Sequence, residues 1–283
     1  MGNSEADEPL WLTNRKMWQQ EFKDGIGRVK SKTSWLSLEL TAICNLRCVQ
    51  CPRENPNIRF IETEMDESIA EKFLQNLPYV THLQLFGLGE PLLSKLFWKL
   101  IEDRRTKDID LIDVNSNGTL FTDKNVDRLL RSNLNFVNVS LDAATPLTYR
   151  RIRGGNFDKV IAGIKYLTAR RRDLRATAEL GRPNFRIWMN MTLMVENIRE
   201  LPLFIELAHE VGVDAVDVWQ MNMRSDDTTK NWKLAHNDWT FVYDEQHLSN
   251  APALSNEMVR RAQDVALEKG VRFTPRPDVW LPE

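Results

Sequence analysis

Outside one short stretch, this chain has no cysteine. Its 283 residues carry three thiols, Cys44, Cys48 and Cys51, all within TAICNLRCVQCPR at 41–53. An odd number of cysteines so confined cannot build a disulfide framework, which leaves metal binding or thiol chemistry. Long apolar runs are missing too. Nothing approaches the roughly 20 residues that cross a bilayer, and the polar start MGNSEADEP has neither the charged nor the apolar region of a signal peptide. The expectation is a cytoplasmic protein with no membrane partner. Excess charge of one sign is also absent: 38 Lys and Arg face 40 Asp and Glu, a formal net charge of -2. Such a chain has no global field for capturing nucleic acid. No long-period repeat points to a solenoid, and 42% hydrophobic content argues against general disorder.

What is present is alternation. WLSLEL (35–40), VTHLQLF (80–86), DLIDVNS (110–116), FVNVSL (136–141), FRIWMNMTLM (185–194) and AVDVWQM (215–221) are short, apolar and rich in β-branched or aromatic residues, as buried strands are. Between them lie helix-period stretches at 66–77, 94–105, 123–132, 157–172 and 198–212. Start signals accompany several: Asp66 before the first, Thr145 with Pro146 opening a short extra helix, and Asn197 with Glu200 at capping-box spacing. Repeated β-then-α order implies parallel strands joined by right-handed crossovers. Six units are too few for a complete eight-unit barrel, so the expected fold is α/β, a partial (β/α)6 TIM-like barrel or an open sheet. Residues 1–34 form an N-terminal extension with one amphipathic helix over 14–26. Residues 222–283 form a C-terminal α+β tail: a polar stretch made dockable by Trp232, Trp239, Phe241 and Tyr243, a helix over 256–270 ending at Gly270, and the run VRFT. The run ARRRDLR at 169–175 reads as a solvated helix face whose cations complement the dipole.

The cysteine stretch follows the first strand directly. Its thiols therefore sit at the strand's C-terminal end, where parallel α/β folds carry their chemistry. An irregular loop can turn three thiolates toward one point, and soft or iron-sulfur centres demand such ligands. Three is the informative number: a 4Fe-4S cluster held by three thiolates keeps one iron without a protein ligand, and an open position marks a catalytic metal site. A structural zinc site would need a fourth ligand, and His82, His209, His236 and His247 are all remote in sequence. Cys48 and Cys51 alone make a C-x-x-C pair suited to thiol exchange, although Pro52 and the additional Cys44 fit that poorly.

CNLRCVQC, a C-x3-C-x2-C pattern, resembles the signature of the radical SAM superfamily. The resemblance implies that Cys44, Cys48 and Cys51 hold a 4Fe-4S cluster whose fourth iron is chelated by S-adenosylmethionine through its amino and carboxylate groups. Other marks follow in the family's order. FGLGEPLL (86–93) is similar to the Gly-Gly-Glu element that meets the SAM amino group, with Leu88 in place of the first glycine, and implicates Gly87, Gly89 and Glu90. NSNGTL (115–120) resembles the segment near the SAM ribose and implicates Asn117. SLDAATPLTYRRIRGG (140–155) resembles the Ser-x-Asp segment, implicating Ser140 and a downstream arginine for the SAM carboxylate; Arg153 matches best by spacing, with Arg150 and Arg151 as rivals. Asn190 matches a polar position that faces SAM, and VWQM matches the strand lining the adenine. The likeness covers residues 35–221, which make the radical SAM core.

The family reductively cleaves SAM to a 5'-deoxyadenosyl radical that abstracts a hydrogen atom, with an electron from a partner such as flavodoxin or ferredoxin. With every thiol on the cluster, no cysteine remains to return a hydrogen atom or to hold a second cluster. The spacing resembles the SPASM-bearing branch, whose members modify peptides or oxidise sugar alcohols and protein side chains. In that branch auxiliary-cluster cysteines would follow near Glu283, so a SPASM-type domain is the expected continuation, either cut away or lost. A peptide or small-molecule substrate is therefore expected. The N-terminal segment and the Trp-rich stretch 222–250 become candidates for the lid and the substrate contacts. Two other classes stay open: a non-catalytic iron-sulfur electron carrier and a zinc-binding interaction module.

Overall fold

The computed structural model of the protein describes residues 8–221, 229, 231–236, 238–273 and 275. All six apolar runs form strands, each shorter than its run: β1 (Trp35–Ser37), β2 (His82–Gln84), β3 (Leu111–Ser116), β4 (Phe136–Ser140), β5 (Arg186–Leu193) and β6 (Ala215–Gln220). A seventh, β9 (Arg272–Phe273), comes from the tail and pairs in parallel with β6. The sheet order is β1-β2-β3-β4-β5-β6-β9, with every neighbouring pair parallel. Each strand is thus laid beside its predecessor. With right-handed crossovers, such sequential order sends every connecting helix to the same face of the sheet, whereas a doubly wound sheet reverses direction midway. The architecture is a seven-stranded partial barrel, with β1 and β9 as its edges.

The outer helices are α2 (Glu67–Leu74), α3 (Lys95–Glu102), α4 (Asp123–Arg131), α5 (Pro146–Arg153), α6 (Phe157–Ala176), α7 (Leu201–Val211) and α8 (Pro252–Lys269). Asp66 caps α2 through Ser68 N–H, and Thr145 caps α5 through Thr148 N–H, with Pro146 in the first turn. The α8 helix packs beside α7 and leads into β9, so this part of the tail continues the βα alternation rather than forming a separate unit. Pro252 starts it four positions before the expected 256.

Strand side chains divide sharply between the two faces. Val137 and Val139 of β4, and Ile187, Met189, Met191 and Leu193 of β5, are fully buried against the helices. The intervening positions carry Asn138, Ser140, Asn190 and Thr192, and β3 contributes Asp113 and Asn115. An inner face built from amides, hydroxyls and a carboxylate lines a polar space, which is why these strands do not read as uniformly apolar.

Three local expectations are corrected. Asn197 and Glu200 make no capping box: Asn197 Oδ1 accepts from Met194 N–H, and its Nδ2 donates to the carbonyls of Asp142 and Thr192. Glu200 instead reaches the start of α5, accepting from Ala144 N–H and from both Thr145 and Thr148 hydroxyls. A tertiary partner with three donors outcompetes a local cap. The ARRRDLR run is not wholly solvated. Arg171 is buried, pairs with Asp214 and donates to the Phe185 carbonyl, while Arg170 pairs with Asp127. These arginines fasten α6 to neighbouring elements. In the extension, α1 (Leu10–Lys23) begins at Leu10, after Pro9 at its N-cap position, earlier than the expected 14. Asn14 holds it to residue 32 by two hydrogen bonds, Asn14 Nδ2 to Lys32 O (2.9 Å) and Lys32 N–H to Asn14 Oδ1 (2.7 Å).

The tail's aromatic residues dock as expected. β7 (Lys233–His236) and β8 (Trp239–Val242) form an antiparallel hairpin. Trp232, Phe241 and Tyr243 make a second apolar cluster with Val49, Ile152, Met194 and Met221, and Trp239 packs against it. Residues 222–228, 230 and 237 of the segment considered as a lid, residue 274 at the end of the VRFT run and 276–283 lie outside the described residues, as do 1–7.

Candidate active site at the barrel mouth

A cavity of ≈ 430 Å³ opens at the C-terminal ends of the strands, and Cys44, Cys48 and Cys51 all line it. None is in a disulfide, and each is half-buried. The loop that carries them leaves β1 and is pinned at several points. Thr41 bridges Glu64, Ala42 N–H donates to Thr63 O (2.7 Å), and Glu90 N–H donates to Ile43 O (2.9 Å). Farther along, Val49 N–H donates to Ile152 O of α5 (2.9 Å) and Cys51 N–H to Cys48 O (2.9 Å). Burial pushes the Cys48 thiol up to about 12, against the pull of the Arg153 guanidinium, and burial raises Cys51 as well. Among the described residues no three His, Cys, Asp or Glu side chains close on a single ion; ligands to three different irons of a cluster stand farther apart than ligands of one ion.

Gly89 explains the glycines of the second loop. A Cβ there would lie 2.7 Å from the Ile43 carbonyl oxygen and closer still to that of Thr41, so the backbone of the cysteine loop occupies the space of a side chain. At Gly87 a Cβ would collide with the Glu39 side chain. Glu90 turns inward. It is buried, accepting from Leu92 N–H (3.1 Å), the Ser116 hydroxyl (2.9 Å) and Asn117 N–H (2.7 Å), and burial still raises its pKa. It thereby joins the loop after β2 to the loop after β3. Asn117 Nδ2 donates to Asn45 Oδ1 (2.9 Å) and stands 3.8 Å from Cys44 Sγ, so this segment touches the cysteine loop too.

Asp142 is the residue at which the site is knotted together. It is fully buried and holds a left-handed φ of 61°, which the short polar side chain of aspartate tolerates better than most. Its Oδ2 accepts from Arg153 Nε (2.9 Å), lies 2.8 Å from Arg153 Nη2, and accepts from Gln50 Nε2 (2.8 Å); its Oδ1 accepts from Thr192 N–H (2.7 Å). One carboxylate thus ties the cysteine loop, α5 and β5 into a single frame.

The cavity brings together Gly87, Gly89, Glu90, Asn117, Ser140 and Arg153 with the three cysteines. Of the rival arginines, Arg151 points elsewhere, pairing with Glu196 and Asp238, and Arg150 is exposed. Asn190 does not line the cavity. It shares the inner face with Thr192, which does, but sits one step deeper, where its Nδ2 donates to the Asp217 carbonyl. Sequence reasoning passed over Gln50, Asp142 and Thr192, all lining residues, whereas Trp219, Gln220 and Met221 of the VWQM run do line the cavity. The Asp of Ser-x-Asp was the available signal for Asp142; the others have none that one sequence displays.

The donor set fits an iron-sulfur cluster with a ligand of SAM's size. Three free thiols surround one mouth, glycine backbone approaches closely, and buried polar atoms of Gln50, Arg53 and Trp232 in the cavity wall lack partners.

Comparison with known proteins agrees. The family model described as Radical SAM superfamily matches residues 38–208. A curated protein from Methanocaldococcus jannaschii named probable GTP 3',8-cyclase is 32% identical over 196 residues, covering 68% of this chain and 59% of that protein. An AdoMet-dependent heme synthase from Methanosarcina barkeri is 28% identical over 188 residues, covering 65% and 49%. The chain thus spans between about half and three fifths of the length of these relatives. Among solved structures, Streptococcus suis SuiB bound to precursor peptide SuiA superposes with a TM-score of 0.64 at 16% identity, over 98% of this chain and 57% of that one.

Proposed function

We infer the function from the premise that this chain belongs to the radical SAM superfamily, whose enzymes use a 4Fe-4S cluster and S-adenosylmethionine. We propose that Cys44, Cys48 and Cys51 hold the cluster and that the cavity around them takes SAM. When bound, that pair supplies a carbon-centred radical able to remove a hydrogen atom from a substrate. The observation that carries this reading is the meeting of all three thiols with Arg153, Asn117 and Ser140 in one cavity. Residues 35–221 are the proposed core, with α8 and β9 completing its sheet. A small reductant such as flavodoxin or ferredoxin is the proposed electron source.

The chain's residues have divisible tasks. Arg153 presents a guanidinium for the SAM carboxylate, its orientation fixed by Asp142. Gly89 lets the loop after β2 lie against the cysteine loop, Gly87 lines the cavity beside it, and Asn117 and Ser140 offer polar contacts at the ends of β3 and β4. Asn190 belongs to the inner face beneath. Trp219, Trp232 and Tyr243 form an aromatic wall that excludes water from a reactive centre.

For the substrate, a peptide is favoured over the guanosine triphosphate implied by the name of the archaeal relative. Of the lining guanidiniums, Arg153 is assigned to the SAM carboxylate and Arg53 is already paired with Glu62, which leaves the substrate no free cation among the described lining residues. Such a surface suits a neutral substrate better than a triphosphate. The buried, unpartnered Trp232 Nε1 offers a donor for an amide or hydroxyl oxygen. A peptide lies on the structurally similar SuiB, and sugar alcohols share the neutral oxygen chemistry.

Anaerobic reconstitution with iron and sulfide should yield a brown protein that releases 5'-deoxyadenosine from SAM after dithionite reduction. Iron uptake without cleavage would point to an electron carrier, and a colourless protein holding one zinc to an interaction module. Arg153→Lys should weaken SAM binding about tenfold or more, the order expected for losing a charged hydrogen bond, with iron content unchanged; calorimetric titration of SAM checks this. Undiminished affinity would remove Arg153 from the role. Lysine is the cleaner substitution, because alanine would leave Asp142 buried and unpaired, which costs about 3–5 kcal/mol.

A further inference from the structure

A side-chain N–H already stands at one of the three thiols. Asn117 Nδ2 approaches Cys44 Sγ at 3.8 Å, within reach for an acceptor as large as sulfur, and its neighbours fix which end of the amide faces the thiol. Its Oδ1 accepts from Thr119 N–H (2.9 Å) and from the Thr119 hydroxyl (2.6 Å), while Nδ2 also donates to Asn45 Oδ1 (2.9 Å). Asn45 Nδ2 closes the ring on the same Thr119 oxygen at 2.8 Å. Turning the Asn117 amide over would set its oxygen against two acceptors and its N–H groups against the Thr119 N–H donor. The main chain is held as well: Asn117 N–H donates to Glu90 Oε2 at 2.7 Å, and the residue is buried. The donor at Cys44 is therefore preset by the fold.

Cys51 receives a donor of another kind, the backbone N–H of Arg53. Any residue type could supply that bond, whereas the one at Cys44 depends on the side chain chosen at position 117. Hydrogen bonds to the sulfurs are among the quantities that set the potential of an iron-sulfur cluster. Such a bond strengthens as the sulfur gains negative charge, so a donor favours the reduced, more electron-rich state over the oxidised one. We propose that Asn117 tunes the cluster through Cys44, its amide donating to the thiolate sulfur and raising the reduction potential. The inference rests on the reading of the cavity given above and gives Asn117 a task additional to lining it. Because it acts through a ligand of the metal, Asn117 is a positioning residue. Its consequence is that a small reductant can deliver the electron at a less negative potential than the thiolates alone would set.

The test is potentiometry on anaerobically reconstituted protein without SAM, followed by electron paramagnetic resonance of the reduced cluster, with iron content measured in parallel. Asn117→Leu removes the donor at similar size and adds no charge. All three thiols remain, so its iron content should match that of the native chain. Its midpoint potential should fall by the equivalent of about a tenfold change in the oxidised-to-reduced ratio, about 59 mV for one electron, the order expected for losing one hydrogen bond to a charged group. Asn117→Asp keeps the acceptor for Thr119 and puts a negative charge where the donor stood, so its midpoint should fall further. A midpoint unchanged or raised in Asn117→Leu at full iron content overturns the proposal and leaves the amide as a clip between loops. Should Asn117→Leu not retain iron, Asn117→Ser, whose hydroxyl can still accept from Thr119 N–H, is held to the same criterion. Loss of iron in all three variants would make Asn117 a requirement for assembly and overturn a role in the potential. A native chain that takes up no iron would instead sink the reading of the cavity itself.

Discussion

Cys48→Ala is expected to abolish iron-sulfur assembly and, with it, cleavage of SAM, while the chain keeps its fold. The fold should survive because the thiol is half-buried and the surrounding loop is held by other groups: Val49 on Ile152, Glu90 on Ile43, and Gln50 on Asp142. None of those bonds uses the sulfur. The proposed cluster, in contrast, would lose one of its three thiolate ligands. The sequence holds no cysteine outside this stretch to replace it, and altering even an outer-shell partner of a metal site costs about 10–100-fold in affinity or activity. Iron and sulfide analysis after anaerobic reconstitution, with far-ultraviolet circular dichroism as the control for folding, decides the matter. A variant that assembled a normal cluster and cleaved SAM at the native rate would dismantle the assignment of the site.

The second large effect is expected from the smallest side-chain change. Gly89→Ala introduces one methyl group where the carbonyl oxygens of Thr41 and Ile43 already stand. Neither obstacle is the end of a flexible side chain; both are backbone, and Thr41 is itself bridged to Glu64. The loop after β2 must then retreat from the cysteine loop and break the Glu90 N–H to Ile43 O bond, which shifts Glu90 away from Ser116 and Asn117. Overpacking of this kind costs about 1–3 kcal/mol. Urea unfolding should show that loss, and SAM affinity should fall with it. Unchanged stability and affinity would mean that the two loops are not in the close register described.

The path from residues to fold was readable where the physical cause was local. Strand positions followed from apolar runs, the short helix α5 from Thr145 and Pro146, and the docking of the tail from its aromatic residues. What resisted reading was settled by long-range partners. Asn197 and Glu200 have the spacing of a cap, but each found stronger partners on other elements, around Asp142 and at the start of α5. Arg171 looks like one more cation in a solvated run, and nothing nearby in sequence announces that Asp214 will receive it. The seventh strand is only two residues long, too brief for any periodicity, and exists because β6 offers it an edge.

The site shows the same division. The three cysteines and the two glycines were legible as candidates from their spacing, and all five line one cavity. Arg153 was separable from Arg150 and Arg151 only by spacing, and its burial against Asp142 is what distinguishes it in the structure. Asn190 illustrates the limit: a polar residue on the correct face of the correct strand still sits one step below the cavity. Gln50 was hidden in plain view within the cysteine stretch, because an amide between two ligands has no meaning until its partner at position 142 is known.

The attachment of Val49 to Ile152 has a mechanical corollary. Val49 is almost fully buried in the small apolar cluster beneath the hairpin, with a thiol on either side of it in sequence. Its backbone and side chain anchor the middle of the cysteine stretch to α5 and to the hairpin cluster. Insertion of a metal group then asks for adjustment of side-chain torsions at the rim and little reorganisation of the scaffold, so the empty and loaded proteins should share one set of protected amides along α5 and the hairpin.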